Sequence, residues 1–178
     1  ATPADAKGLL KSAIRDGNPV VFIEGEMLYN VKGEVPDEKY LTPIGVADVK
    51  RAGKDATIIC HSKTVAPALN AAKTLEGEGI DCEVIDLRTI RPLDERAILD
   101  SVAKTNRIVV AEEGWGFAGV GAQVADLVQR EAFDHLDHPV LRLHQAEVPM
   151  PYNKQLERAA KVDATKIAAA VRTVCYRD

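Results

Sequence analysis

The sequence contains few cysteines, few aromatic residues and no long apolar run. Its three cysteines form no C-x-x-C pair or zinc spacing, so we expect reduced thiols, with Cys60 and Cys82 buried in strands. No apolar stretch is long enough to cross a bilayer, and no signal-peptide pattern opens the chain. The net charge of −4 offers no basic surface of the kind that binds nucleic acid. The composition, 46% hydrophobic, is instead that of a globular domain with a buried core.

The first 24 residues carry the signals of a helix followed by a strand. Thr2 is suited to cap the helix, Pro3 to lie in its first turn, and Gly17 and Pro19 to end it. The apolar run at residues 20–24 then predicts a short buried strand. Because the chain starts with alanine and a helix begins at once, we expect a processed or truncated polypeptide.

Strands and helices alternate after a polar, proline-containing segment at residues 27–54, which we interpret as a linker. The predicted strands are ATIIC, CEVIDL, RIVVAEE and PVLRLH, with helical patterns between them. Continuous apolar strands joined by helices are typical of a parallel sheet covered on both faces. The sequence therefore predicts an α/β fold, with three α/β/α layers and a mostly parallel sheet of about five strands.

A G-x-G-x-x-G motif runs from Gly114 to Gly119, between a predicted strand and a predicted helix. This pattern is typical of dinucleotide sites, so one alternative is a stand-alone nucleotide-binding α/β module. Two features argue against it: Glu112 and Glu113 would repel a diphosphate, and the motif follows the third strand rather than the first. We interpret the glycines as allowing a tight turn and close helix–strand packing, with Trp115 and Phe117 as hydrophobic plugs.

No residue of the chain is predicted to be catalytic or to bind a cofactor. His61 and Ser62 are adjacent, but a third orienting group and an oxyanion hole are not recognisable, and Ser62 is expected to cap the next helix. His135, His138 and His144 match no standard zinc spacing, so we expect ordinary surface histidines.

Four segments together resemble the β subunits of the pyruvate dehydrogenase E1 component: SAIRDGNPVVFIEGEMLY, CEVIDLRTIRPLD, VVAEEGW…GVGAQVAD and VPMPYNKQLE. The resemblance is collinear over essentially the whole chain. DLRTIRP is shared widely by transketolase-like C-terminal domains, and VPMPY is more typical of E1 β subunits. The resemblance implies three segments: the end of a pyrimidine-binding α/β domain (1–30), a linker (31–45) and a transketolase C-terminal-like domain (46–178). A β subunit of a branched-chain or acetoin 2-oxo acid dehydrogenase remains an alternative.

The resemblance also implies an activity that this chain does not perform alone. The family catalyses thiamine-diphosphate-dependent decarboxylation of a 2-oxo acid in an α2β2 assembly. Its coenzyme-activating glutamate lies upstream of the matching segment, and its α subunit holds the diphosphate and Mg²⁺. We therefore expect an inactive portion that contacts the E1 α subunit, a second β subunit and E2. Its expected location is the cytoplasm of a bacterium or the mitochondrial matrix of a eukaryote.

The segment AIRDGN, at the end of the first predicted helix, is a candidate cation site. A helix end exposes carbonyls and negative dipole charge, and Asp16 and Asn18 add hard oxygen donors. A simple helix stop explains the same residues. The resemblance implies a structural K⁺ bound by the carbonyls of Ala13 and Ile14 with Asp16 and Asn18.

The turn FDHLDHP is a candidate docking site. A solvated acidic turn is the ordinary interpretation of Asp134 and Asp137, although an exposed carboxylate also suits pairing with arginine. The resemblance implies that Asp137 anchors an arginine of the peripheral subunit-binding domain of E2. The C-terminal residues Arg177 and Asp178 are expected to alter that contact.

Overall fold

The computed structural model describes residues 1–177 and contains one five-stranded sheet flanked by helices. Its strands are β1 (Asp48–Arg51), β2 (Ala56–Cys60), β3 (Cys82–Asp86), β4 (Ile108–Ala111) and β5 (Leu141–Leu143). Its helices are α1 (Pro3–Arg15), α2 (Val65–Glu76), α3 (Glu95–Thr105), α4 (Val120–Glu131), α5 (Lys154–Ala160) and α6 (Ala164–Val174). Within these residues, every helix falls short of the length and apolar content that a bilayer crossing requires.

The sheet has the strand order β1-β3-β2-β4-β5, and only β1 runs antiparallel to its neighbour. Every residue of β2, β3 and β4 is buried, which explains why their sequences lack apolar–polar alternation. Helices α2 and α6 pack together on one face, and α3 and α4 pack on the other. The predicted three-layer α/β/α fold is confirmed.

Strand β1 lies inside the polar segment at residues 27–54, which was predicted to be a linker. It is a short edge strand, with no fully buried residue, paired antiparallel with β3 in the register Val49 to Ile85. A polar four-residue edge strand has no apolar periodicity, so its sequence does not distinguish it from a loop.

The predicted strand at residues 20–24 is wrong. The segment pairs with no strand of residues 1–177, and Val21 and Ile23 are 85% and 88% exposed. An apolar run becomes a buried strand only where a neighbouring strand completes its hydrogen bonds and covers its side chains. The predicted helix before it is confirmed: Thr2 Oγ1 accepts a hydrogen bond from the Asp5 amide at 3.1 Å.

Helix α1 is attached to the segment that leads into β1. The Tyr40 hydroxyl donates to the Ala4 carbonyl at 2.8 Å, and the Ser12 hydroxyl donates to the Thr42 carbonyl at 2.6 Å. A β-carbon on Gly8 would lie 2.1 Å from Thr42 Oγ1, so the absence of a side chain permits this close approach. The interpretation of residues 1–30 as the end of another domain stays a prediction.

Gly53 allows the chain to cross the start of β3 between β1 and β2. A β-carbon built there would lie 2.2 Å from the carbonyl carbon of Cys82 and 2.3 Å from the amide nitrogen of Glu83. Immediately afterwards, the amides of Lys54 and Asp55 both donate to the Asp81 carbonyl, at 3.0 and 2.9 Å. Only glycine fits where two backbones meet this closely.

All three cysteines are free thiols, and Cys60 and Cys82 are fully buried, as predicted. Burial raises the pKa of the Cys82 thiol to about 12 and also raises that of Cys60. Cys175 follows α6 and is partly exposed, and burial raises its pKa as well.

Candidate functional site

The carboxyl ends of the parallel strands gather ionisable side chains at one edge of the sheet. His61 follows β2, Asp86 ends β3, Glu112 follows β4 and His144 follows β5. In open parallel sheets, ligands bind at the carboxyl ends of the strands, so a functional site is expected at this edge.

Glu112 occupies the position that a phosphate would take in a dinucleotide site. Its Oε1 accepts a hydrogen bond from the Gly121 amide at 3.1 Å, in the first turn of α4, and Arg142 lies 3.5 Å from the same oxygen. β-Carbons on Gly119 and Gly121 would lie 2.7 and 2.6 Å from this carboxylate. Gly119, the last glycine of the motif, therefore permits a close approach of the α4 N-terminus to Glu112, and Gly121, which lies outside the motif, makes room for the same carboxylate.

The prediction that Trp115 and Phe117 are hydrophobic plugs is wrong. Trp115 is about half exposed and Phe117 is 86% exposed. The space next to Gly116 is instead filled by the His144 ring, which lies 2.5 Å from the position of an added β-carbon. The sequence shows that large apolar residues lie beside the turn, but it does not show whether their side chains face the core or the solvent.

An ion cluster joins α1 to β1 and to the residues that follow β3, and no local sequence pattern predicts it. Arg88 Nη2 lies 2.7 Å from Asp5 Oδ1 and 2.8 Å from Asp48 Oδ2, while Lys50 Nζ lies 2.9 Å from Asp5 Oδ2. Burial tends to raise the pKa of Asp5, but hydrogen bonds from Thr2 and Lys50 and nearby positive charges outweigh it and lower the pKa to about 2. The cluster attaches the N-terminal helix to the sheet.

His61 lies close to this edge without forming a nucleophilic pair. Its Nε2 is buried and accepts or donates no hydrogen bond among residues 1–177, and burial lowers its pKa. Ser62 has φ 53° and lies in a short helical turn before α2, so its predicted role as the cap of that helix is wrong. The arrangement does not activate a serine.

The predicted cation ligands lie together at the end of α1. Asp16 Oδ1 accepts hydrogen bonds from the amide and the side chain of Asn18, both at 2.9 Å. The Ala13 carbonyl accepts only a long bond from the Asp16 amide, at 3.4 Å, and the described residues donate no hydrogen bond to the Ile14 carbonyl. Hydrogen bonds from Asn18 lower the pKa of Asp16 and keep it ionised.

Asp137 lies in an exposed turn and already forms an ion pair within the chain. Its Oδ2 is 2.7 Å from Nη2 of Arg107, and the two side chains are 49% and 30% exposed. Its amide donates to the Asn106 carbonyl at 2.9 Å, and its carbonyl accepts from the Tyr176 hydroxyl at 2.7 Å. The C-terminal segment therefore contacts the turn that contains Asp137, but Asp178 lies outside the described residues.

Exposed apolar side chains surround the carboxyl edge of the sheet. Polar contacts connect three loops there: Lys63 Nζ lies 3.0 Å from Glu113 Oε2, and the Phe117 amide donates to Glu147 Oε1 at 3.0 Å. A surface of this kind on one domain is typical of a protein–protein interface. We define this apolar rim by its six largest members: Met27, Tyr29, Trp115, Phe117, Met150 and Tyr152.

Comparisons with known proteins agree with this architecture. The E1 β subunit of mitochondrial pyruvate dehydrogenase from Dictyostelium discoideum is 50% identical over 98% of this chain and 50% of its own length. The corresponding Rhizobium meliloti subunit is 48% identical over 99% of this chain and 38% of its own length. A split-gene transketolase, solved as an inactive β4 tetramer, superposes with a TM-score of 0.69 at 30% identity, over 81% of this chain and 46% of that one.

The chain spans about half the length, or less, of the curated relatives described above. The model of the transketolase C-terminal domain matches residues 45–167, which is well over half of this chain. The protein therefore belongs to the transketolase C-terminal domain family.

Proposed function

We propose that this chain is the C-terminal portion of the β subunit of a pyruvate dehydrogenase E1 component. The observation that carries the proposal is identity of about one half, over nearly the whole chain, with relatives that bear this name. The complete enzyme would decarboxylate pyruvate with thiamine diphosphate and transfer the acetyl group to the lipoyl group of E2. This portion would supply subunit contacts and E2 docking, in a bacterial cytoplasm or a mitochondrial matrix.

We infer that thiamine diphosphate and Mg²⁺ are held by parts of the complete enzyme other than the residues described here. Glu112 occupies the N-terminus of α4, where an incoming diphosphate would meet a carboxylate. No cluster of three or more His, Cys, Asp or Glu side chains within residues 1–177 is arranged to hold a metal ion. In this proposal the catalytic groups come from the upstream part of the β subunit and from the α subunit.

Decarboxylation assays test this division of labour. The 178-residue chain, given pyruvate, thiamine diphosphate and Mg²⁺, is expected to release no CO₂ above the protein-free rate. Co-expression with an E1 α subunit and the N-terminal half of a relative's β subunit is expected to restore pyruvate-dependent activity. CO₂ release by the isolated chain would contradict the division, and activity only with branched-chain 2-oxo acids would contradict the choice of substrate.

The apolar rim supports a role in assembly with the α subunit and a second β subunit. Phe117 and Tyr152 are almost fully exposed, although large aromatic side chains contribute strongly to binding once they are buried. The rim lies opposite the amino ends of the parallel strands, so one edge of the sheet would serve as the assembly surface.

We propose that Asp137 binds an arginine of the E2 subunit-binding domain. Its carboxylate is half exposed, and two hydrogen bonds hold its backbone. Asp137→Asn keeps the shape but removes the charge, so we expect at least about tenfold weaker binding of that domain in calorimetric titration. Asp134→Asn, three residues away in the same turn, is the matched control and should bind as the wild type does. Equal affinities for both variants would exclude Asp137.

We also propose that Ala13, Ile14, Asp16 and Asn18 bind a structural K⁺. The support is four oxygen donors within six residues, two of them backbone carbonyls left largely free at a helix end. With K⁺ at about ten times its dissociation constant, the melting temperature should exceed that in choline by about 3–5 °C. Asp16→Ala should abolish the difference, and Asp100→Asn should keep it. Identical melting of the unmodified chain in both salts would refute the site.

A further inference from the structure

A positively charged side chain of this chain, Arg107, already contacts the docking turn (residues 133–139). Arg107, two residues after the end of α3, places Nη2 2.7 Å from Asp137 Oδ2, and its Nη1 donates to the Asp55 carbonyl at 3.3 Å. The guanidinium is thus anchored from two sides rather than mobile in solvent. No hydrogen bond within residues 1–177 reaches Asp137 Oδ1. One oxygen of the carboxylate is therefore occupied, and the other is open.

Asp137 does not depend on Arg107 for its position. Its amide bonds to the carbonyl of Asn106, and the Asn106 side chain donates to the His135 carbonyl at 2.7 Å. Asn106 itself has φ 60°, a conformation that asparagine tolerates better than most residues. From the other side, the Tyr176 hydroxyl bonds to the Asp137 carbonyl. The backbone of the turn is fixed by these three contacts, and Arg107 acts only on the side chain.

We propose that Arg107 is a specificity-determining residue that competes with the incoming cation for Asp137. The proposal rests on the docking function proposed above. Because Arg107 already contacts Oδ2, a partner arginine that bonds to both carboxylate oxygens must share Oδ2 with it, which weakens the parallel pair of bonds that makes arginine–carboxylate contacts strong. The positive charge of Arg107 also repels the incoming guanidinium. The site as built therefore discriminates weakly between arginine and lysine on the partner.

Neutral substitutions of Arg107 test this directly by calorimetric titration with the E2 subunit-binding domain. Arg107→Met and Arg107→Gln are both expected to bind the arginine-bearing domain about two- to fivefold more tightly than wild type, the range expected for freeing one exposed ion pair. For a partner domain with lysine in place of the docking arginine, the same two substitutions should increase the affinity less. Arg107→Lys keeps the charge and should stay within about twofold of wild type.

If Arg107 only held the turn in place, replacing it would weaken the binding of the E2 domain instead of strengthening it, because a disordered turn binds less tightly. Unchanged or weaker binding by folded Arg107→Met and Arg107→Gln, with Asp137→Asn still weakened, would overturn the competition and leave the docking site intact. Unchanged binding by Asp137→Asn would instead overturn the docking proposal itself. Melting curves of each variant establish that the fold is retained.

Discussion

A Gly53→Ala variant is expected to lose about 3 kcal/mol or more of folding stability, which corresponds to a fall of about 10 °C in melting temperature. The added methyl group would overlap the backbone of Cys82 and Glu83 at the start of β3. Because β3 pairs with both β1 and β2, its backbone cannot move aside without breaking two ladders. Thermal unfolding followed by circular dichroism measures the effect.

Gly114→Ala is the matched control for this variant. A β-carbon on Gly114 would meet no atom within 4 Å, and its φ is not positive, so the change should alter stability by no more than about 0.5 kcal/mol. The control also tests the G-x-G-x-x-G motif, since its first glycine would be required in a true dinucleotide site. Equal melting temperatures for Gly53→Ala and the wild type would contradict the close crossing.

An Asp5→Asn variant is expected to lose about 2 kcal/mol of stability at neutral pH. The carboxylate is almost fully buried against Lys50 and Arg88, and its pKa falls from 3.8 to about 2 on folding. A carboxylate whose pKa is lower in the folded state contributes its full stabilisation at pH values above its pKa in the unfolded state. At pH values below its pKa in the folded state it contributes none. The difference between wild type and variant should therefore shrink as the pH falls from about 4 to about 2.

Urea denaturation at pH 7 and at intermediate acidic pH values measures this dependence. Asp100→Asn serves as the control, because Asp100 is mostly exposed and, among residues 1–177, its ion pair is with Arg96 at 3.5 Å on the surface of α3. A constant difference between Asp5→Asn and wild type across the acid range would show that the Asp5 charge is not what stabilises the attachment of α1.

The parallel sheet and its covering helices are predictable because both have strong local signals. Strands β2, β3 and β4 are rich in β-branched apolar residues, and Asp94 and Asp163 cap α3 and α6 through their side chains. The edge strand β1 and the exposed segment at residues 20–24 were not predictable, since in each case the outcome depends on whether a neighbouring strand is present.

The candidate sites were less accessible to sequence reasoning than the fold. Asp5, Lys50 and Arg88 lie far apart in the chain, and no spacing relates them. Asp137 was assigned from family resemblance as an exposed acid, yet Arg107 is thirty positions earlier and its contact required the three-dimensional turn. Pairs made by tertiary packing leave no local pattern to detect.

The buried cysteines provide an internal reporter of sheet opening. Cys60 and Cys82 lie on adjacent central strands, and both are protonated and fully covered in the folded state. A thiol-specific reagent can label them only after the strands separate, so the labelling rate under native conditions follows the rate or population of that opening. Cys175, partly exposed beside α6, should react earlier and report fraying of the C-terminal end alone.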